Sequence, residues 1–130
     1  MTVLELSQLY YLNREIENDN ARLAELEAAA TGATVRLTGL PHGLSVINKT
    51  ALAAEIADMK NAISAKKSLC IVEHNRLMRY ISSVGDSLMR QILTYRHVNG
   101  LSWRQVAAHV GGGNTEGSVK MAHGRFLRGR

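Results

Sequence analysis

The residues best equipped for chemistry crowd the last quarter of the chain. There Arg104, Lys120, Arg125 and Arg128 supply cations, and Asn114, Thr115 and Ser118 supply small polar groups. Donors of this kind suit phosphate oxygens and base edges rather than bond-making. Val119, Ala122, Phe126 and Leu127 recur at helical spacing, which turns Gly117, Ser118, Lys120, Met121, Gly124, Arg125 and Arg128 outward. A helix with such a face can enter the major groove of DNA with its N-terminal half. Ser118, Lys120 and Arg125 are then the expected contacts to base edges or phosphates, with Met121 and Arg128 beside them. Asn114 and Thr115 can bind a phosphate at the helix N-terminus, and Arg90, Arg96 and Arg104 can add flanking phosphate contacts. Glu116 favours the helix N-terminus electrostatically.

The elements needed to hold this helix are legible upstream. Asp86 can cap a helix whose Leu88, Ile92, Tyr95 and Val98 face inward, ended by Asn99-Gly100. Ser102 caps a second short helix with Trp103, Val106, Ala107 and Val110 buried, and Gly111-Gly112-Gly113 stops it. Asn114 or Thr115 caps the last helix. Two short helices, a glycine turn and a basic final helix spell a helix-turn-helix.

Charge divides along the chain in the same sense. Of the net charge of +5, residues 1–81 contribute nothing, with nine basic and nine acidic residues, while residues 82–130 hold seven basic and two acidic. A basic terminal module beside a neutral one is the pattern of a nucleic-acid binder, and equally of a solvated basic tail.

The first 81 residues read as a long antiparallel helical hairpin. Leu9, Ile16, Leu23 and Ala30 recur every seven residues, with Leu12 and Leu26 between them, over a stretch without Pro or Gly. Asp19 and Asn20 interrupt that stripe, and a locally exposed turn is expected there ahead of a polar group at the seam. Gly32, Gly39, Pro41 and Gly43 make residues 31–49 a connection, with Val35, Leu37, Leu40, Leu44, Val46 and Ile47 folding it back on the helices. Thr50 then caps a second helix to Ile81, with Leu52, Ile56, Met59, Ile63, Cys70 and Leu77 on one face. An acidic first helix and a basic second one favour lying side by side.

The run from Ile92 to Gly111, ILTYRHVNGLSWRQVAAHVG, with Ser118-Val119-Lys120 and Arg125-Phe126-Leu127, resembles region 4 of bacterial sigma factors. The layout of the whole chain is similar to that of small phage and prophage proteins with a sigma-region-4-like C-terminus behind a helical N-terminal part, including regulators of late transcription. Tyr11-Leu12-Asn13-Arg14 with Glu15-Ile16, and Leu37 to Gly43, also look like that group. The interval from Gly111 to Val119 is longer than the usual sigma turn, which displaces position-by-position transfer of contacts. The resemblance implies an all-α protein: a hairpin over 1–81 for homodimers or larger homo-oligomers, and a helix-turn-helix over 82–130. Double-stranded DNA would be its ligand in a bacterial cytoplasm. A sigma-like docking module for RNA polymerase, and a packaging protein of the terminase small-subunit kind, are the alternative expectations.

Other chemistries find little footing. Gly112 to Ser118 nearly spells a phosphate-binding loop but lacks its lysine and a preceding strand. His42, His74, His97, His109 and His123 are scattered without metal-ligand spacing and are expected at the surface, at the core edge or on phosphates. No nucleophile with a base and no convergent carboxylates assemble, so neither enzyme activity nor a cofactor or metal is expected. Cys70 is the only cysteine and falls on an apolar face, as a buried structural thiol would. No run is apolar enough for a membrane span, and no signal peptide is expected.

Overall fold

The computed structural model describes residues 1–33 and 42–129, and all of their regular structure is helical. The main helices are α1 (Val3–Ala28), α2 (His42–Ser82), α3 (Ser87–Leu93), α4 (Trp103–Val110) and α5 (Glu116–Arg128). Single π-helical turns continue α1 over Ala29–Ala33 and α3 over Thr94–Val98. Among the described residues no helix is long and apolar enough to cross a membrane.

α1 begins where Thr2 and Glu5 exchange side-chain and backbone hydrogen bonds, a capping box that satisfies two free amides of the first turn. The start of α2 differs from expectation. The helix already runs at His42, so residues 42–49 belong to it and Thr50 sits in its interior rather than at its cap. No Pro or Gly follows Gly43 in that stretch, and a helix that has nucleated propagates through residues that do not break it. The turn itself, with the apolar residues expected to fold back from it at Val35, Leu37 and Leu40, lies outside the described residues, as do the side chains of Leu44, Val46 and Ile47.

Two compact units make up the chain: Asn13–Leu69, and Met1–Leu12 together with Cys70–Arg130. In the first, the α1 and α2 segments run antiparallel. Lys66 pairs with Glu15 and Asp19 at one level, and Arg22 reaches Glu55 further along. Leu26 and Ile63 are buried, while Ile16, Leu23, Leu52, Ile56 and Met59 are half-buried. Asp19 corrects the expected exposed turn. Its side chain is only 20% exposed and accepts a 2.6 Å hydrogen bond from Lys66 Nζ, so it occupies the seam, while Asn20 is exposed. The seven-residue gaps in the apolar stripes, Ile16 to Leu23 and Ile63 to Cys70, are thus filled by one opposite-charge pair. The two carboxylates hold the Lys66 ammonium in its charged form and raise its pKa.

The second unit has one core. Leu6 and Leu9 of α1, Leu77 and Ile81 of α2, Val84, Met89, Ile92 and Leu93 around α3, Val106 and Ala107 of α4, and Val119 of α5 pack together. Cys70 lies half-buried against this core, and desolvation raises its thiol pKa. Asp86 caps α3 by accepting from the Leu88 amide. Arg90 donates to the carbonyls of Val84 and Gly85 at 2.7 and 3.1 Å, tying α3 to the turn before it. The inward set expected on α3 is present, with Met89 and Leu93 more deeply buried than the anticipated Leu88 and Tyr95.

Candidate nucleic-acid interface

Two capping boxes and a glycine turn fix the last two helices against each other. Ser102 accepts from the Gln105 amide while Gln105 accepts from the Ser102 amide, starting α4. Thr115 and Ser118 do the same for α5, so Thr115 rather than Asn114 is the cap. Between them Gly111, Gly112 and Gly113 all have positive φ, +67°, +64° and +79°, a path that side chains with a Cβ rarely follow. Gly111, with ψ −149°, still donates its amide to the Ala107 carbonyl, so the glycines close α4 and redirect the chain within three residues. Asn114 supports the turn by donating from Nδ2 to the Gly111 carbonyl.

α5 buries Val119 completely and His123 nearly so, and half-buries Ala122, Phe126 and Leu127. Its opposite face carries Gly117, Ser118, Lys120, Met121, Arg125 and Arg128, all exposed, with Gly124 half-buried. These candidates therefore share one face, and Met121, 63% exposed, stands at its middle. Asn114 and Thr115 lie at its N-terminal end, and Arg104 is exposed on α4.

The hydrogen bonds sort the candidates further. Ser118 Oγ accepts from the Thr115 amide and directs its own proton to the Thr115 carbonyl or Asn114 Oδ1, so its hydroxyl is committed to the helix start. Arg96 is held too. Its guanidinium carbon sits 4.6 Å from the centre of the Trp103 ring, and its Nη1 donates to the Leu101 carbonyl at 3.0 Å. Lys120, Arg125, Arg128 and Arg104 are different. Among the described residues no carboxylate pairs with any of them; of the cations on the long helices Arg14, Arg22, Lys66 and Arg76 have carboxylate partners, while Lys60, Lys67 and Arg79 have none.

Beneath α5 lies a feature that sequence reading missed. His97 and His123 are 5% and 6% exposed, and their Nε2 atoms are 2.9 Å apart, so one ring donates and the other accepts. They are core residues, not the surface or phosphate-binding groups that were one expectation. Trp103 meets His123 edge-on, with ring centres 4.8 Å apart. Burial, then the neighbouring imidazole and Arg96, push the His97 pKa down to about 3, and burial followed by Arg96 lowers that of His123. The partners are 26 residues apart, a separation that carries no local signal. Among the described residues no group of three or more His, Cys, Asp or Glu side chains could hold a metal ion.

Comparison with protein-family models, with curated proteins and with solved structures finds no match for this chain.

Proposed function

We propose that the chain is a sequence-specific binder of double-stranded DNA, with α4, the glycine turn and α5 acting as a helix-turn-helix and α5 as the helix that enters the major groove. One observation carries the reading: the exposed face of α5 presents Lys120, Arg125 and Arg128 without carboxylate partners. Cations left unneutralised by their own protein are what phosphate contact and counterion release require. The centre of a protein-docking face is depleted in charged residues and enriched in aromatic ones, whereas this face carries three cations and no aromatic residue, with Met121 its only exposed large apolar side chain. The resemblance of residues 92–127 to sigma region 4 makes a transcription regulator of phage or prophage type, working in a bacterial cytoplasm without catalysis, the role proposed for that binding. A second copy is the partner proposed for the Asn13–Leu69 unit, in which Ile16, Leu23, Ala30, Leu52, Ile56 and Met59 of the apolar stripes remain half-exposed.

The test is fluorescence anisotropy of a labelled mixed-sequence duplex, and of sites selected from a random pool, across a salt series. Affinity should fall with salt by about 0.9 log units per log unit for each phosphate contacted. Arg125→Ala should weaken binding to the selected site. Absence of binding at low salt refutes the reading and turns the search to a protein partner such as RNA polymerase. Ring-shaped assemblies in place of dimers would favour a DNA-packaging role.

A further inference from the structure

One flank of α5 borders a groove instead of open solvent. Lys120, Gly124 and Arg128, four residues apart, form one wall. Val3 and Ser7 from the start of α1, with Arg96 and Trp103, form the other, and the volume between them is about 520 Å³. Three cations line this space and no carboxylate does. The two histidines at its base have Nε2 atoms engaged with each other, so the positive charge resides on the lysine and the arginines. Gly124 is an unusual choice for mid-helix, where glycine is disfavoured. The Arg128 guanidinium lies back over this glycine, with Nη1 within 3.3 Å of where a Cβ would stand. Arg96 arrives already oriented by the Trp103 ring and the Leu101 carbonyl, with N–H groups to spare.

We infer that this groove is a phosphate-binding channel that carries the backbone of one DNA strand beside α5, making the first turns of α1 part of the nucleic-acid interface. The inference rests on the DNA-binding reading above and adds to it a place and a residue set. Phosphate is the chemistry the lining selects: clustered cations, no acid, and a guanidinium held in a fixed orientation. The duplex backbone is favoured over a free phosphate ester because Lys120, Met121 and Arg128 belong both to the groove and to the exposed face of α5. A strand leaving the reading helix therefore meets the groove directly.

Val3 allows the test to be made outside α5, on the opposite wall of the groove. It is 53% exposed in the first turn of α1, where an acid suits a helix N-terminus, and Leu4 beside it is 75% exposed but outside the groove. In the full chain, Val3→Asp should weaken binding to the selected duplex about fivefold, the effect of one unit charge brought to contact distance of another in water. Leu4→Asp, with the same charge change, should shift it less than about twofold under screening salt. A wild-type readout accompanies the pair. Trp103 is the only tryptophan, so its emission should change saturably as duplex is added, and only weakly with inorganic phosphate or a mononucleotide. Equal effects of the two aspartates, or duplex binding with unaltered Trp103 emission, overturn the channel while leaving DNA binding intact. Saturable quenching by a mononucleotide but not by duplex makes it a small-ester site and also overturns it. No duplex binding by wild type removes the functional reading itself.

Discussion

The buried imidazole pair makes the second unit sensitive to mild acid. Between pH 7 and 5 the unfolded chain's histidines, titrating near 6.5, take up protons, while His97 in the folded protein stays neutral down to about 3. The unfolded state then binds more protons, so stability falls as pH falls, with a limiting slope of about 1.4 kcal/mol per pH unit for each such group. Integrated over those two pH units with an unfolded value of 6.5, His97 alone removes about 2 kcal/mol. His123 is displaced in the same direction and adds to the loss. Against a total of roughly 5–15 kcal/mol for a small domain, that is a large share. Urea unfolding followed by far-ultraviolet circular dichroism at several pH values measures it directly. His97→Leu/His123→Leu removes both partners together and leaves no polar atom stranded, and it should flatten the dependence over the same range. A wild-type midpoint that does not move between pH 7 and 5, or a double variant that moves as much as wild type, refutes the reasoning.

Three further outcomes are expected. Leu6→Ala, at a position with no exposure, should cost about 2–5 kcal/mol and lower the unfolding midpoint; Leu4→Ala, at 75% exposure, should stay within about 0.5 kcal/mol in the same urea titration. Gly111→Ala forces a Cβ into a positive-φ, extended-ψ conformation and should cost about 1–3 kcal/mol while weakening duplex binding, since the turn sets the α5 direction. Asp19→Leu/Lys66→Leu should raise thermal stability and broaden the distribution of oligomers in analytical ultracentrifugation, because the seam pair trades stability for register.

Local signals were readable in the sequence wherever a side chain acts on its own backbone. Ser102, Asp86, Asn99-Gly100 and the triple glycine marked helix ends because capping and positive φ are properties of a few consecutive residues. The outward face of α5 followed from helical period alone. What escaped were relations across the chain. Nothing near His97 announces His123, and nothing near Asp19 announces Lys66, although a charged residue at the expected apolar position of each heptad stripe was a clue. The start of α2 was misplaced because Pro41 and Gly43 read as a long connection, while the residues after them contain nothing that stops a helix. Ser118, prominent as a candidate base contact, carries a second duty in the capping box that spacing alone does not separate from recognition.

The apolar centre that supports α5 draws on Leu6 and Leu9 as much as on residues a hundred positions later. Leu6 and Leu9 can join it only once a long loop has closed, a slower step than contact between the neighbouring helices that supply the rest of the core. On the ribosome the N-terminal turns wait, with their leucines uncovered, until the last helix emerges. A fragment restricted to residues 82–130 lacks those leucines together with Leu77 and Ile81, and should associate through the apolar surface they leave bare. The segment from Asn13 to Leu69 departs from and returns to this centre as a single excursion. Equal insertions in its two arms should leave the contacts of this centre unchanged, so tolerance to a change of length should differ between parts of the same two helices.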